Sequence, residues 1–382
     1  MKIPVFAPAS ILFLAITVLV LGGCANDPVV KPGTYTSPVQ HILSGTALLG
    51  RAYEPAQLPN DDLFAVTPDM VKFAEHIVRG QNSYFDKVRA LHVALLSSRE
   101  SGGYGLVYNA YRTEVPSVTF QQRRANCLSF TLLYVALARQ VGIRAEVNEV
   151  QIPPTWDLRN KDDMVFLRHV NVKVPMRESI NILRNDDVII DLEMNRYSPN
   201  YDQHEIDDDL IAAEFYSNRA MEYLTDNDMR NAFLSLRKAI AMNDQQSYIW
   251  SNLGALYGRN KLYAEAETAY LHGLEINPED LTIMNNLAYL YQHSGNKAGE
   301  VKYVSLAHRY RESNPYYQYT LAQAAFASGE LELALQFIKR AIDRDKFKKE
   351  MRFFQLAADI YDKQANNVMQ NEMLKKVMKL KP

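Results

Sequence analysis

The sequence predicts an α+β domain followed by an all-α array of repeated helical hairpins. Three observations carry this reading. First, Asn126–Gln140 is apolar around most of a helical circumference, as expected of a helix in a domain centre. Second, three strand-like segments follow it, at Arg144–Ile152, Met164–Val174 and Asp187–Glu193, which is the order of an α+β unit. Third, everything after Asp209 reads as helix, and small residues recur at Ala220, Gly254, Ala288, Ala322 and Ala357, with intervals of 34, 34, 34 and 35 residues.

The chain opens with an export pattern. Lys2 is followed by a run from Ile11 to Leu21 that is apolar apart from Thr17, too short to span a hydrocarbon core. Leu21-Gly22-Gly23-Cys24 resembles the lipobox of bacterial lipoproteins. That resemblance implies a signal peptide over residues 1–23 and an acylated Cys24 as lipid anchor. Ala25 stands where the family's inner-membrane retention signal places Asp, so the expected location is the periplasm, with the outer membrane favoured. Residues 24–62 carry Pro28, Pro32, Pro38, Pro55 and Pro59 and read as a mostly extended tether, with local packing open for 47–53.

With 382 residues the chain has room for two or three domains. It is 47% hydrophobic and 23% charged, which excludes wholesale disorder. A net charge of −2 gives no basic excess for nucleic-acid binding. The domain expected over 63–205 begins with two helices, one from Thr67 with Val71, Phe73, Ala74 and Ile77 on one face, the other at Tyr84–Leu96. The Gly102-Gly103-Tyr104-Gly105 cluster lacks dinucleotide-loop spacing. No cofactor is expected, and no His, Cys or carboxylate cluster has metal-ligand spacing.

The chemistry points to Cys127. Once Cys24 is acylated, Cys127 is the one remaining thiol and has no disulfide partner. Asn126 is placed to cap the helix that Cys127 begins, and a helix N-terminus favours an anion. Arg123 and Arg124, immediately upstream, are placed to add to that field. His169 follows 42 residues later and Asp191 another 22. Strand alternation puts Val170, Val172 and Val174 on one face and His169, Asn171 and Lys173 on the other. Asp191 ends the apolar run Val188-Ile189-Ile190, with Asp186 and Asp187 as competitors for its role. Together these give a nucleophile, its base and the base's orienting acid.

Arg124-Ala125-Asn126-Cys127-Leu128-Ser129, running through Leu133–Arg139 into Gly142-Ile143-Arg144-Ala145, resembles the core of the transglutaminase-like superfamily. The resemblance implies a papain-type site of Cys127, His169 and Asp191, acting on amide bonds of a protein or peptide, with hydrolysis favoured over acyl transfer. Asn171, where many members have an aromatic, and Leu192, where a turn residue is common, depart from the pattern. The oxyanion donor is left open between the Cys127 N–H and Gln121, Gln122 or Tyr108.

Over 206–382, Trp250, Leu253, Gly254, Tyr257, Ala266, Tyr270 and Pro278 resemble a tetratricopeptide repeat, one of about five. Glu300 departs from it in the third unit, and the fifth reads as a cap. The resemblance implies a groove for a protein or peptide partner. Its expected lining is Tyr248, Ser251, Asn285, Tyr289, Gln292, Tyr316, Tyr319, Gln323, Phe326 and Tyr361, against the alternative that these aromatics pack between repeats. The competing function is a non-catalytic assembly lipoprotein whose repeats bind a partner.

Overall fold

The computed structural model describes residues 35–110, 112–152, 155–157, 163–165, 168–176, 187–192 and 201–380. The lipobox and Cys24 lie outside the described residues. Two short helices come first, α1 (Ser37–Ser44) and α2 (Thr46–Leu49). Then come α3 (Pro68–Val78), α4 (Tyr84–Leu96), β1 (Val107–Tyr108), α5 (Pro116–Gln122), β2 (Arg124–Ala125) and α6 (Cys127–Gln140). The strands β3 (Glu146–Gln151), β4 (Thr155–Asp157), β5 (Asp163–Val165), β6 (Arg168–Val174), β7 (Val188–Ile190) and β8 (Gln203–Ile206) complete the first domain.

Local chemistry sets the helix starts. Thr67 accepts the Met70 N–H ahead of α3, Ser83 accepts the Asp86 N–H ahead of α4, and Asn126 accepts the Ser129 N–H ahead of α6. Every residue of α6 from Leu128 to Ala138 is buried, so this helix is the domain's spine. Truncating Leu132, Leu133 or Leu137, each 0% exposed, to Ala costs roughly 2–5 kcal/mol. Helix α6 packs on the valine face of an antiparallel sheet of order β7-β6-β3-β8.

The strands differ from expectation in two ways. Met164–Val174 is not one strand: β5 pairs with β4 in a separate two-stranded sheet, and only β6 joins the main one. Met164-Val165-Phe166-Leu167 is a continuous apolar run ahead of the alternating Arg168–Val174, so the sequence pattern does not show where one pairing ends and the next begins. A fourth strand, β8, adds the far edge of the main sheet and leads directly into the repeats.

The expected tether is also corrected. Val39, Ile42 and Leu43 in α1 are buried against the repeat array, and the Ile42 carbonyl accepts a hydrogen bond from Tyr257. Gly45, between α1 and α2, has φ 75°, and a Cβ there would sit 2.5 Å from the Phe233 ring. A glycine that looks like linker is therefore required by both conformation and packing.

The repeats are α7 (Asp208–Thr225) with α8 (Met229–Met242), α9 (Ser247–Arg259) with α10 (Tyr263–Ile276), and α11 (Leu281–Ser294) with α12 (Lys297–Ser313). They continue with α13 (Pro315–Ala327) and α14 (Leu331–Arg344), then α15 (Met351–Lys363) and α16 (Asn367–Leu380). The period has a packing cause: a Cβ on Gly254 would lie 2.4 Å from the Tyr270 ring. The turn inside each pair repeats too, with positive φ at Asn227, Lys261, Gly295, Gly329 and Ala365. In the third unit Gly299, beside Glu300, takes the close approach, to the Tyr291 ring. One apolar core runs from Val39 through the sheet domain to Ala307, and a second spans Ala322 to Val377. The first three repeats therefore share a core with the α+β domain.

Candidate active site

Cys127 is a free thiol, half-buried at the first position of α6. His169 enters from β6, 5% exposed, and its Nε2 donates to Asp191 Oδ2 at 2.6 Å. Asp191, just past β7, is 1% exposed. The thiol of Cys127 is a further hydrogen-bond partner of the His169 ring. With Nε2 turned to Asp191, Nδ1 is the nitrogen left for sulfur. Burial opposes the imidazolium, but hydrogen bonds to Asp191 and Cys127 and their charges outweigh it, raising His169 to about 9. Of the competing acids, Asp187 is ion-paired with Lys173 at 3.0 Å, and Asp186 lies outside the described residues.

Asn171, which the sequence marks only as a departure, and Asn148, Gln203 and His92, which it does not single out, hold the triad in place. Asn171 Nδ2 donates to Asp191 Oδ2 at 3.3 Å, and Asn148 Nδ2 donates to Asn171 Oδ1 and to Gln203 Oε1, each at 2.9 Å. A polar ladder thus crosses all four strands, from Gln203 on β8 to Asp191 beyond β7. Register makes it possible: Asn148 lies opposite Asn171, and extending the β6–β7 pairing by one step brings Asp191 opposite Asn171. The departure at Asn171 is therefore a partner of the acid. His92 of α4 donates its Nε2–H to the Asp191 carbonyl at 3.1 Å, and burial keeps its pKa below the usual imidazole value. The available signal was two asparagines set beside valines, Asn171 between Val170 and Val172 and Asn148 after Val147; Gln203, in Gln203-His204-Glu205-Ile206, carried none.

The thiol's helix start is held from the repeats. Asn126 donates to Thr113 Oγ1 at 2.9 Å, and the Thr113 N–H donates to Glu222 of α7 at 2.6 Å. Arg219 of α7 donates to the Thr113 carbonyl and pairs with Glu114. Arg123 does not serve the thiol: its guanidinium donates to the Tyr104 carbonyl and lies over the Tyr104 ring at 4.4 Å. Gln121, Gln122 and Tyr108 are exposed; β1, which carries Tyr108, pairs with β2 just upstream of Cys127. Among the described residues no group of three or more His, Cys, Asp and Glu is arranged to hold a metal.

The expected groove residues divide. Tyr289 is 64% exposed, and Gln292 and Gln323 are also exposed. Tyr248, Asn285 and Phe326 are half-buried. Tyr361 is 5% exposed and Ser251 4%, so both belong to the core. The rings of Tyr316 and Tyr319 pack on Phe353, and Arg352 lies within 6 Å of both of them and of Tyr201. Helix α13 also meets β4. Part of the concave face therefore already meets the chain's own α+β domain.

A cysteine at the start of a buried helix, a histidine from the adjoining sheet and an aspartate fixing that histidine form a papain-type constellation. Residues 71–175 match the family model of the transglutaminase-like superfamily, and residues 247–280 that of the tetratricopeptide repeat. The chain thus carries a transglutaminase-like domain followed by tetratricopeptide repeats. No curated protein matches the chain. Solved structures similar to it include MamA from Desulfovibrio magneticus RS-1, 16% identical over 46% of this chain and 96% of that one, TM-score 0.26. YrrB, described as a TPR protein with an unusual peptide-binding site, is 19% identical over 44% and 87%, TM-score 0.25. Pseudomonas aeruginosa pilF is 18% identical over 45% and 77%, TM-score 0.25.

Proposed function

We propose that this protein is a thiol enzyme acting on amide bonds of a protein or peptide, with its repeats recruiting the substrate or a partner. The observation that carries the reading is the buried 2.6 Å hydrogen bond from His169 to Asp191, on a ring whose other partner is the half-exposed Cys127. Cys127 Sγ, its proton passed to His169, attacks the amide carbonyl, and the oxyanion draws on the Cys127 N–H, which has no partner within the helix. The C–N bond breaks as His169 protonates the leaving amine. Water, losing a proton to His169, then attacks the thioester, releasing a carboxylic acid and restoring the thiol. Hydrolysis is favoured over transfer because the sequence marks no site for an acceptor amine. Asn171, which departs from the family's pattern, bonds to Asp191, so that departure lends no weight to the competing scaffold reading.

Location follows from the lipobox: an anchor through acylated Cys24, in the periplasm and on the outer membrane in preference to the inner. Among the described residues no helix is long and apolar enough to cross a membrane. Palmitate labelling that Cys24→Ala abolishes is the expected result. Soluble wild-type protein with an unmodified N-terminus would overturn it.

The direct test of the chemistry is alkylation of Cys127 by iodoacetamide in the full chain. The expected rate exceeds that of the unfolded chain, and His169→Ala removes the excess. A native rate no faster than the unfolded one, unchanged by His169→Ala, would leave the scaffold reading standing. Cys127→Ala in envelope extracts then serves as a trap to capture the substrate.

A further inference from the structure

The second and third repeats enclose a hollow of about 400 Å³ between α9, the start of α10 and α11. This is the size at which ligand pockets begin. Its lining includes Ala255, Gly258 and Leu290 as apolar surface and the rings of Tyr263, Tyr270 and Tyr289. Arg259, Lys261 and His293 are also in the lining, all three exposed, and among the described lining residues there is no carboxylate.

Gly258 is the informative residue. Gly254 and Gly273 are required by contact: a Cβ would come within 2.4 Å of Tyr270 at the first and 2.5 Å of Ile283 at the second. At Gly258 a Cβ would meet only the Ala266 methyl, at 3.8 Å, and its φ is not positive. Neither packing nor backbone conformation requires glycine there. What its missing side chain does is keep the hollow open, with Ala255 as the other small residue. Across it, Tyr289 is 64% exposed, and its ring lies against His293 at 3.9 Å with 37° between planes. His293 Nδ1–H donates to the Tyr289 carbonyl at 2.9 Å, which fixes that pair.

We infer that this hollow binds a partner segment in which one large apolar side chain is flanked by Asp or Glu, passing through the array as an internal stretch. The apolar side chain enters over Gly258 against the tyrosine rings. The flanking carboxylates meet Arg259 and Lys261, which the expected groove positions do not include: one ends α9 and the other occupies the positive-φ turn after it. Two exposed, separate cations suit separate acidic side chains better than a single chain-terminal carboxylate, which needs converging donors. The inference rests on the reading that the repeats recruit a protein, and it is independent of the chemistry at Cys127.

The test is fluorescence polarisation on the full chain. The probe is a fluorescein-labelled, C-terminally amidated decapeptide with one phenylalanine between aspartate pairs in a Gly/Ser background. It is expected to bind at least tenfold tighter than a peptide with lysine pairs or with alanine for phenylalanine, and to weaken with added salt. Arg259→Glu with Lys261→Glu should lose tenfold or more, and Gly258→Leu, which has room for its Cβ, should lose binding without losing thermal stability. If Gly258→Leu fails to fold, the charge-reversal pair decides. Equal binding of all peptides, or unchanged binding by the charge-reversed protein, overturns the inference. Binding confined to the free-acid peptide replaces the internal segment with a chain terminus. Iodoacetamide reactivity at Cys127, measured in the same variants, should not change, so failure here is distinct from failure of the catalytic reading.

Discussion

Strand β6 buries His169 and Asn171 at 5% and 0% exposure, whereas helix α11 leaves Tyr289 64% exposed. Each inverts the usual preference for its residue type, and each inversion has a different physical cost. A buried imidazole or amide without a partner loses about 1–3 kcal/mol, so His169 and Asn171 are tolerable on β6 because both are tied to Asp191 and the ladder behind it. An exposed tyrosine forgoes its share of burial, and beside the hollow at Gly258 it leaves a ring free for contact. In the proposed function, buried polar residues serve the chemistry and this exposed ring serves the docking.

The largest test of that contrast is Asp191→Asn. The amide keeps the shape but cannot stabilise an imidazolium, so turnover of the trapped substrate should fall ~10³–10⁴-fold, about 4–5.5 kcal/mol of transition-state stabilisation. Circular dichroism should show the fold intact. A loss under tenfold would mean the ladder is structural.

Next in size is Ile42→Ala. Ile42 is 1% exposed in α1, docked on the repeats, and its truncation should cost about 2–5 kcal/mol in urea unfolding of the full chain. A change under about 0.5 kcal/mol would restore the reading of this segment as tether.

How legible these features were differs between the two regions. That Cys127 opens a capped helix and that His169 meets Asp191 was readable, because a cap, a strand alternation and the end of an apolar run each constrain one of these positions locally. The ladder through Asn148 and Asn171 was not, because alternation assigns polar strand residues to solvent, and only the four-strand register shows that they face one another. Helix α1 was hidden by Pro38, which sits in its first turn, and by Gly45, which packs against Phe233. The repeat period fixed the hairpins but not their neighbours: Tyr361 falls in the core and Tyr319 meets Arg352, since position within a repeat cannot show what the array folds back against. The hollow at Gly258 was invisible for a related reason. Its cations come from the helix end and the turn, outside the positions that normally face a groove.

Titration gives a third test. His169 is raised from an unfolded value near 6.5 to about 9, so its contribution to stability is full below pH 6.5 and disappears as pH rises through 9. Thermal stability should therefore decline between those values, by no more than about 3 kcal/mol in free energy, and Asp191→Asn should flatten the decline. Asn171→Ala is smaller. It removes the 3.3 Å bond that orients the carboxylate and leaves Asn148 short of a partner, an effect of about 1–3 kcal/mol. The upper pH limb of turnover should move down, because the imidazolium that protonates the leaving amine loses support. A purely structural Asn171 would lower stability and leave that limb where it is.

The smallest effect is expected where the two regions meet. Arg352 is held by Glu350 through two bonds at 2.8 Å, and its guanidinium lies 5.6, 5.8 and 5.9 Å from the Tyr201, Tyr316 and Tyr319 centroids. Tyr201 stands two residues before Gln203, the first residue of the ladder. Contacts of this kind at a partly exposed site contribute about 0.5–1 kcal/mol each, and Glu350 keeps part of the geometry without them. Arg352→Ala should therefore lower stability by about 1 kcal/mol, visible as earlier proteolysis near Tyr201 rather than as global unfolding. Arg352→Lys keeps the charge but not the planar face, and should recover less than half of the loss. If Arg352→Ala also slows Cys127 alkylation, the far repeats bear on the site through β8. An unchanged alkylation rate would confine their role to holding the concave face against the α+β domain, leaving the hollow at Gly258 as the part of the array open to a partner.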